Sequence, residues 1–188
     1  LFAIALPIAV SSLVFNLTTF IDSWTIQNRL QYVLENNFNV VADMYPGIID
    51  ATGYIASQAE ELKSYLFGAY DTVLEIKNII PTFTITLGLS AIPVLSEAWI
   101  KKNKKAAGKA ISSVLRITML ISLPAGMGLF VLAKEILTLI YGTNRNTAPA
   151  IEYIAPILMA YGISVCFLAL AQPVTNMLQA INRMDVPV

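Results

Sequence analysis

Residues 78–105, NIIPTFTITLGLSAIPVLSEAWIKKNKK, decide the fold of this chain. The run carries no charge before Glu97, and four lysines follow shortly after Trp99. A bilayer's hydrocarbon core requires about 20 consecutive, predominantly apolar residues, and a helix of a soluble domain does not need this much apolar length. The stretch is therefore predicted to be a membrane-spanning helix with a basic end.

Polar residues recur at every fourth position within this predicted span. Positions four apart lie on the same side of an α-helix, so these residues form a stripe along one helical face. We expect function to lie on this stripe. Its members are Asn78, Thr82, Thr86 and Ser90, and Glu75 and Glu97 extend the same line at the two ends.

Composition places the whole chain in the membrane class. Of its 188 residues, 56% are hydrophobic and only 13% are charged, whereas roughly 25% are charged in soluble domains. The formal net charge is zero, so no nucleic-acid partner is indicated. The sequence has no histidine, one cysteine, no phosphate-binding loop and no nucleophile–base pair, so we expect no enzymatic activity, cofactor or metal.

Four apolar segments are predicted to span the membrane, at residues 1–26, 75–100, 110–133 and 153–175. Residues 27–74 are predicted to form a long outer loop, in which residues 55–67 suit a short amphipathic helix at the interface or an ordinary surface helix. The loop at 101–109 carries five lysines, which places it in the cytoplasm and 27–74 outside. Because the chain opens at Leu1 inside an apolar run, we expect a fragment of a longer multi-span protein.

Charged residues in or near the hydrocarbon cost at least about 2.5 to 3.5 kcal/mol each, so they are candidates for function. Asp22 lies beside a polar stripe of the first span and is two helical turns from Arg29. Lys77 lies near the outer end of the second span. The first stripe consists of Ser12, Asn16, Thr19 and Ser23.

Prolines fall in or near every predicted span. A proline frees a backbone carbonyl and bends the helix, as the moving helices of transporters require, although proline is also generally frequent in membrane helices. We interpret the pattern as favouring a transporter. The residues are Pro7, Pro81, Pro93, Pro124, Pro156 and Pro173.

Long segments of the chain resemble the second half of the multidrug/oligosaccharidyl-lipid/polysaccharide (MOP) exporter superfamily. The similarity is greatest to the polysaccharide-biosynthesis branch, which includes the stage V sporulation protein B group and MurJ-type lipid II flippases. It covers the chain except for about 31–66. It is carried by ALPIAVSSLVFNLTTFIDSWTIQNRL (5–30), NIIPTFTITLGLSAIPVLSEA (78–98), LRITMLISLPAGMGLFVLAKEILTLIYG (115–142) and LQAINRMDVPV (178–188).

The resemblance implies a MATE-like fold, in which two six-helix lobes form a V around a central cavity. Residues 1–188 would then be part of the C-terminal lobe, with the remaining half of the chain as a partner. The implied function is export of an undecaprenyl-pyrophosphate-linked saccharide across the bacterial plasma membrane by alternating access. Lys77 precedes Pro81 one position out of register with the arginine of the flippase pattern, and Ile79 replaces the family's acid.

Two other functions stay open at this stage. One is a cation-coupled multidrug antiporter on the same fold, in which Asp22 would carry the coupling H+ or Na+. The other is a membrane-anchored assembly subunit that uses the acidic outer segment to bind partners. Neither needs a cofactor.

Overall fold

The computed structural model describes residues 2–181, with side chains from residue 13 onward apart from Phe15. Within this part the chain is all-α and contains no strand, which confirms the predicted fold class. Two short 3-10 turns, Ala56–Gln58 and Ala148–Ala150, precede the third and sixth helices. The α-helices are α1 (Phe2–Met44), α2 (Pro46–Thr52), α3 (Ala59–Ile100), α4 (Lys104–Val131), α5 (Ala133–Tyr141) and α6 (Ile151–Ala180).

Three helices in the described part are long and apolar enough to cross a membrane. They cover Ala56–Ile100, Lys104–Val131 and Ala148–Ala180, which contain the second and fourth predicted spans and residues 110–131 of the third. The side chains of residues 1–12, at the start of the first predicted span (residues 1–26), lie outside the described part. Ser12 of its polar stripe and the C-terminal residues 182–188 also lie outside it.

Residues 27–74 are more helical than their mixed composition suggested. The helix expected at 55–67 is the beginning of α3, which starts at Ala59 and continues to Ile100. Its buried residues recur at intervals of four and three, which keeps one helical face packed. No proline interrupts the helix before Pro81, so α3 continues past residue 67, where the expected helix ended. These buried residues are Leu62, Leu66, Ala69, Val73 and Ile76.

The turn between α3 and α4 is shorter than the predicted loop at 101–109. Lys102 has a positive φ of 53°, and α4 begins at Lys104. The backbone N–H of Ala106 donates to Asn103 Oδ1 at 3.0 Å, so Asn103 satisfies one of the free donors at the start of α4. This cap lets α4 begin six residues before the predicted third span.

The chain divides into two compact units. The first combines Lys77–Gly128 with the described residues before Leu17 and after Ala160, and the second combines Leu17–Ile76 with Leu129–Ala160. The second unit is held in part by α2, which packs against the 3-10 turn Ala148–Ala150. The rings of Tyr45 and Tyr153 also meet edge to face there, with centroids 5.5 Å apart.

Small residues bring the helices of the first unit close together. A Cβ on Gly88 of α3 would lie 2.7 Å from Pro173 Cα of α6, and one on Gly126 of α4 would lie 2.6 Å from the Gly162 carbonyl oxygen of α6. Membrane helices commonly pack through such contacts because lipid gives them little hydrophobic drive to associate. A core cluster in this unit consists of Ala91, Leu95, Ala98, Ala107, Val114 and Met177.

Candidate substrate-binding face

The first unit presents two sides of α3 that carry similar polar residues. On the packed side, Thr84 is 0% exposed. Its hydroxyl has two acceptors, the Ala169 carbonyl of α6 at 2.8 Å and the Pro81 carbonyl of α3 at 2.9 Å. Ser96 donates to the Ala180 carbonyl of α6 at 2.9 Å. These hydroxyls join two helices, so this side is structural.

The predicted stripe lies on the other side of α3 and is exposed along its whole length. Its hydroxyls donate back to their own helix, Thr82 to the Asn78 carbonyl at 2.7 Å and Thr86 to the Phe83 carbonyl at 2.7 Å. Ser90 donates to the Leu87 carbonyl at 2.8 Å. Because a hydroxyl has one donor and two acceptor lone pairs, each oxygen can still accept a hydrogen bond from a ligand.

Large apolar side chains are interleaved with the stripe. Ile79, Phe83, Leu89 and Val94 are all exposed on this part of α3. The face therefore offers hydrogen-bond acceptors and hydrocarbon surface side by side. Such a surface suits an amphiphilic molecule better than a fully polar or fully apolar one.

Ser90, at one end of the stripe, lines a groove between α3 and α4. The groove has a volume of about 470 Å³, and its polar lining comes from Ser90, Lys109 and Ser113. Lys109 is exposed. The hydroxyl row thus ends beside a cation near the lysine-rich turn.

At that turn, Lys101 Nζ donates to Glu97 Oε1 at 2.6 Å. Hydrogen bonding and charge attraction favour the ammonium form, so this contact raises the pKa of Lys101 above its ordinary value. Both side chains are well exposed, at 68% and 66%. The pair is therefore a surface feature of the turn between α3 and α4.

Lys77 lies on the packed side of α3 and not on the stripe. It is seven residues from Thr84, two helical turns along the same side, and its ammonium is 4.1 Å from the centroid of the Tyr161 ring on α6. The side chain is half-buried. An ammonium over an aromatic face in this way keeps N–H donors for another partner.

The remaining predicted site residues divide between the two units. Asn16 belongs to the first unit, together with the stripe. Asn16 and the four predicted residues in the second unit are all exposed. Asp22 and Arg29 form no ion pair with each other, although they are two turns apart on α1. The residues in the second unit are Thr19, Asp22, Arg29 and Glu75.

Sequence reasoning did not select the buried polar residues of the first unit. Thr118, Ser122 and Asn176 are buried, and Thr118 Oγ1, Ser122 Oγ and Asn176 Nδ2 have no hydrogen-bond partner in the described part. The available signal for Thr84 was its spacing from Gly88, Ala91 and Leu95, which places it on the packed face. Among described residues no cluster of three or more His, Cys, Asp or Glu side chains suits a metal ion.

These features define the class as an all-α integral membrane protein whose longest described membrane helix carries an exposed row of hydrogen-bonding groups. The model of the lipid II flippase MurJ family matches residues 79–188, more than half of the chain. The chain therefore belongs to the lipid II flippase MurJ family. This confirms the resemblance inferred from the sequence, and the match includes Thr82, Thr86 and Ser90.

A curated relative supports the same assignment. The chain is 23% identical over 158 residues to a probable lipid II flippase MurJ from Bdellovibrio bacteriovorus, an alignment covering 79% of this chain. The chain spans only 30% of the length of that relative. No solved structure matches the chain significantly.

Proposed function

We propose that this chain takes part in moving a lipid-linked saccharide across the bacterial plasma membrane, as part of a flippase that works by alternating access. The observation that carries the proposal is the exposed row Asn78, Thr82, Thr86 and Ser90 on a membrane-length helix of a MurJ-family chain. The substrate class we propose is an undecaprenyl-pyrophosphate-linked precursor of the cell wall or of a polysaccharide.

The stripe supplies groups that such a substrate needs. Sugar hydroxyls and amides donate hydrogen bonds, and the oxygens of Thr82, Thr86 and Ser90 keep acceptor lone pairs because their own protons are used within the helix. The side chain of Asn78 adds both donors and acceptors. Exposed Phe83 and Leu89 supply apolar surface for the less polar parts of the same molecule.

Lys77 is the cation that we propose for the pyrophosphate. Charge-assisted hydrogen bonds to phosphate are stronger than neutral ones, and an ammonium binds phosphate as a compact charge. The Tyr161 ring holds this ammonium without neutralising it, because the contact is to an aromatic face and not to a carboxylate. Lys77 directly precedes Asn78, the first residue of the stripe, so we propose that the pyrophosphate lies at this end of the row.

We also propose the orientation indicated by the lysines. The turn containing Lys101, Lys102, Lys104 and Lys105 is then cytoplasmic, and residues 27–74 are extracytoplasmic. Lys77 would lie toward the outer end of its span. Attaching an impermeant label to single cysteines at Lys102 and at Asn39 in intact cells tests this orientation, because only the second should react.

The substrate face can be tested by accessibility in the intact protein. After Cys166→Ala, single cysteines at Thr82, Thr86 and Ser90 should react with a water-soluble thiol reagent, and added lipid-linked saccharide should slow the reaction. A cysteine at Thr84 is the matched control, because Thr84 is 0% exposed and should react slowly with or without substrate. Equal reaction rates at Thr84 and Thr82, or no protection by substrate, would contradict the proposal.

Asp22 provides a separate test of how transport is driven. We propose that this exposed carboxylate binds a coupling cation, H+ or Na+, because ionisable groups near membrane spans commonly serve such roles. Asp22→Asn in the intact protein should abolish transport while expression stays normal. Unchanged transport would remove Asp22 from the mechanism and leave the substrate face untouched.

A further inference from the structure

The second unit contains a cavity that the proposed transport function does not use. Its volume is about 630 Å³, within the range of small-molecule sites. Three segments form its walls: α2 with the turn after it, the first turns of α3, and the turn before α6. The lining residues used below are Thr52, Tyr54, Glu60, Glu61, Tyr65, Arg145 and Asn146.

Local structure fixes the wall formed by α2. Gly53 adopts a left-handed φ of 68°, and its N–H donates to the Ile49 carbonyl, which ends the helix. Thr52 then accepts a hydrogen bond from the Tyr54 backbone N–H at 3.4 Å. This turn holds Tyr54 at the rim of the cavity.

Packing supports all three walls. Ile48 of α2, Leu62 of α3 and Ala150 of the 3-10 turn are all buried, so the supporting segments are anchored behind the cavity. In the turn before α6, the Asn146 N–H donates to Asn144 Oδ1 at 2.9 Å. The lining side chains therefore project from supported backbone.

Several polar groups of this cavity have no partner within the described part. The side chains of Arg145 and Glu61 form no ion pair or hydrogen bond, and the Tyr65 hydroxyl is buried without a hydrogen-bond partner. Buried polar groups are normally satisfied, and an unsatisfied one in a native structure requires an explanation. A polar ligand would satisfy the buried Tyr65 hydroxyl, and the exposed, unpaired side chains of Arg145 and Glu61 are available to bind the same ligand.

We propose that this cavity binds a neutral saccharide about the size of a disaccharide. Glu60 and Glu61 oppose an anion such as pyrophosphate, and Arg145 opposes a simple cation. Lys63, 3.9 Å from Glu60, brings the local charge close to balance. The lining still supplies carboxylate acceptors, guanidinium and amide donors and several hydroxyls, a mixture that matches a ring bearing many hydroxyls.

The two tyrosines favour a sugar over a small charged metabolite. Tyr54 and Tyr65 each combine an apolar ring with a polar tip. A sugar ring likewise has C–H faces and polar edges, so it can contact both parts at once. The site belongs to the second unit and depends neither on the stripe nor on transport, and Thr52 to Tyr65 precede the matched family segment.

The test measures direct binding of N,N′-diacetylchitobiose, a neutral disaccharide, to the intact protein in lipid nanodiscs. Binding is detected by saturation-transfer NMR. We expect saturation transfer with the unchanged protein. Arg145→Gln and Glu61→Gln should each weaken binding at least about tenfold, because hydrogen bonds to charged groups are the stronger ones. Arg116→Gln is the matched control, since Arg116 is exposed and outside the cavity, and it should bind as the unchanged protein does.

Other outcomes would overturn the proposal. Saturation transfer to the zwitterionic dipeptide alanyl-alanine but not to the disaccharide would show a different ligand class. Equal affinities of Arg145→Gln and Arg116→Gln would place the sugar elsewhere on the protein. Arg145 and Glu61 are exposed, so we expect both variants to have the unfolding temperature of the unchanged protein. That measurement checks that the variants are folded. Because this assay measures no translocation, its failure would leave the proposed transport function intact.

Discussion

Threonines on two sides of one helix differ in whether their hydroxyls also reach a neighbouring helix. The Thr84 hydroxyl lies 2.8 Å from the Ala169 carbonyl of α6 and 2.9 Å from the Pro81 carbonyl of its own helix, so it can donate across to α6. Thr82 and Thr86, two residues to either side, direct theirs back to carbonyls of α3. The residue type therefore does not decide whether a threonine has a structural role or lies on an exposed face.

The difference comes from what lies opposite each side. On the packed side, Gly88 and Pro173 bring the two backbones close together, so a hydroxyl one turn away reaches the other helix. On the exposed side no neighbouring helix of the described first unit covers Thr82 or Thr86. Their hydroxyls donate to backbone carbonyls of α3 itself, as Ser and Thr hydroxyls commonly do within helices. The close approach of the helix backbones therefore decides whether a hydroxyl on α3 can reach another helix.

The largest expected loss of stability follows from adding a side-chain carbon where two helices are in close contact. Gly126→Ala would place a Cβ 2.6 Å from both Cys166 Sγ and the Gly162 carbonyl oxygen. Gly88→Ala would place one 2.7 Å from Pro173 Cα. Each should destabilise the intact protein by about 1–3 kcal/mol, the usual cost of overpacking, measured by reversible unfolding in mixed detergent micelles.

Gly108→Ala is the matched control for these two variants. Gly108 lies within α4, and an added Cβ would meet nothing within 4 Å. Alanine is the better helix former, so this change should be neutral or stabilising by up to about 1 kcal/mol. If Gly126→Ala were as stable as Gly108→Ala, the close approach of α4 and α6 would be wrong.

The second prediction separates the two sides of α3 directly. Thr84→Val removes the hydrogen bond to α6 at nearly constant volume and should cost about 0.6 kcal/mol, the average measured for hydrogen bonds between membrane helices, and at most about 1.7 kcal/mol, the maximum. Thr82→Val should leave unfolding unchanged and should lower the transport rate if the stripe binds substrate. The same two assays on both variants, unfolding and vesicle transport, check this contrast. Equal stability losses would remove the distinction between the sides.

Spacing in the sequence predicted much of this arrangement. The four-residue interval from Asn78 to Ser90 placed the stripe on one face, and that face is exposed. The same rule applied to Thr84, Gly88, Ala91 and Leu95 gives the packed face, but periodicity alone does not say which of two polar-bearing faces meets another helix. That depends on residues far along the chain, such as Pro173 and Ala169.

The second unit was harder to predict because its order comes from tertiary packing. Charges and turn residues between 27 and 74 suggested a loop, whereas α1 extends to Met44, with a kink at Asn37 (φ −137°, ψ 37°), and α3 begins at Ala59. Buried Leu62, Leu66 and Val73 override the local polar composition. The cavity that includes Arg145 and Glu61 joins segments about eighty residues apart, which no local pattern reveals.

A smaller effect is expected at the second hydrogen bond between α3 and α6. Ser96 donates to the Ala180 carbonyl at 2.9 Å, but Ser96 is only half-buried. Ser96→Ala should therefore cost about 0.5 kcal/mol, below the cost of Thr84→Val, because water or lipid headgroups can partly replace the lost bond. The same unfolding assay measures it. A cost larger than that of Thr84→Val would show that burial is not what sets the strength of these bonds.

The smallest effect is expected at the exposed pair Glu97–Lys101, which belongs to neither packed side. Surface ion pairs contribute little because water screens them and long side chains lose freedom on pairing. Lys101→Gln should thus have the same unfolding temperature as Lys102→Gln, whose lysine forms no ion pair in the described part. Since pairing raises the pKa of Lys101 above 10.5, any stabilisation is fully present below pH 10.5 and is lost as pH rises through the raised pKa. A lower unfolding temperature for Lys101→Gln at pH 7, comparable to that of Thr84→Val, would mean that exposed charge stabilises this helix end as strongly as contact between helices.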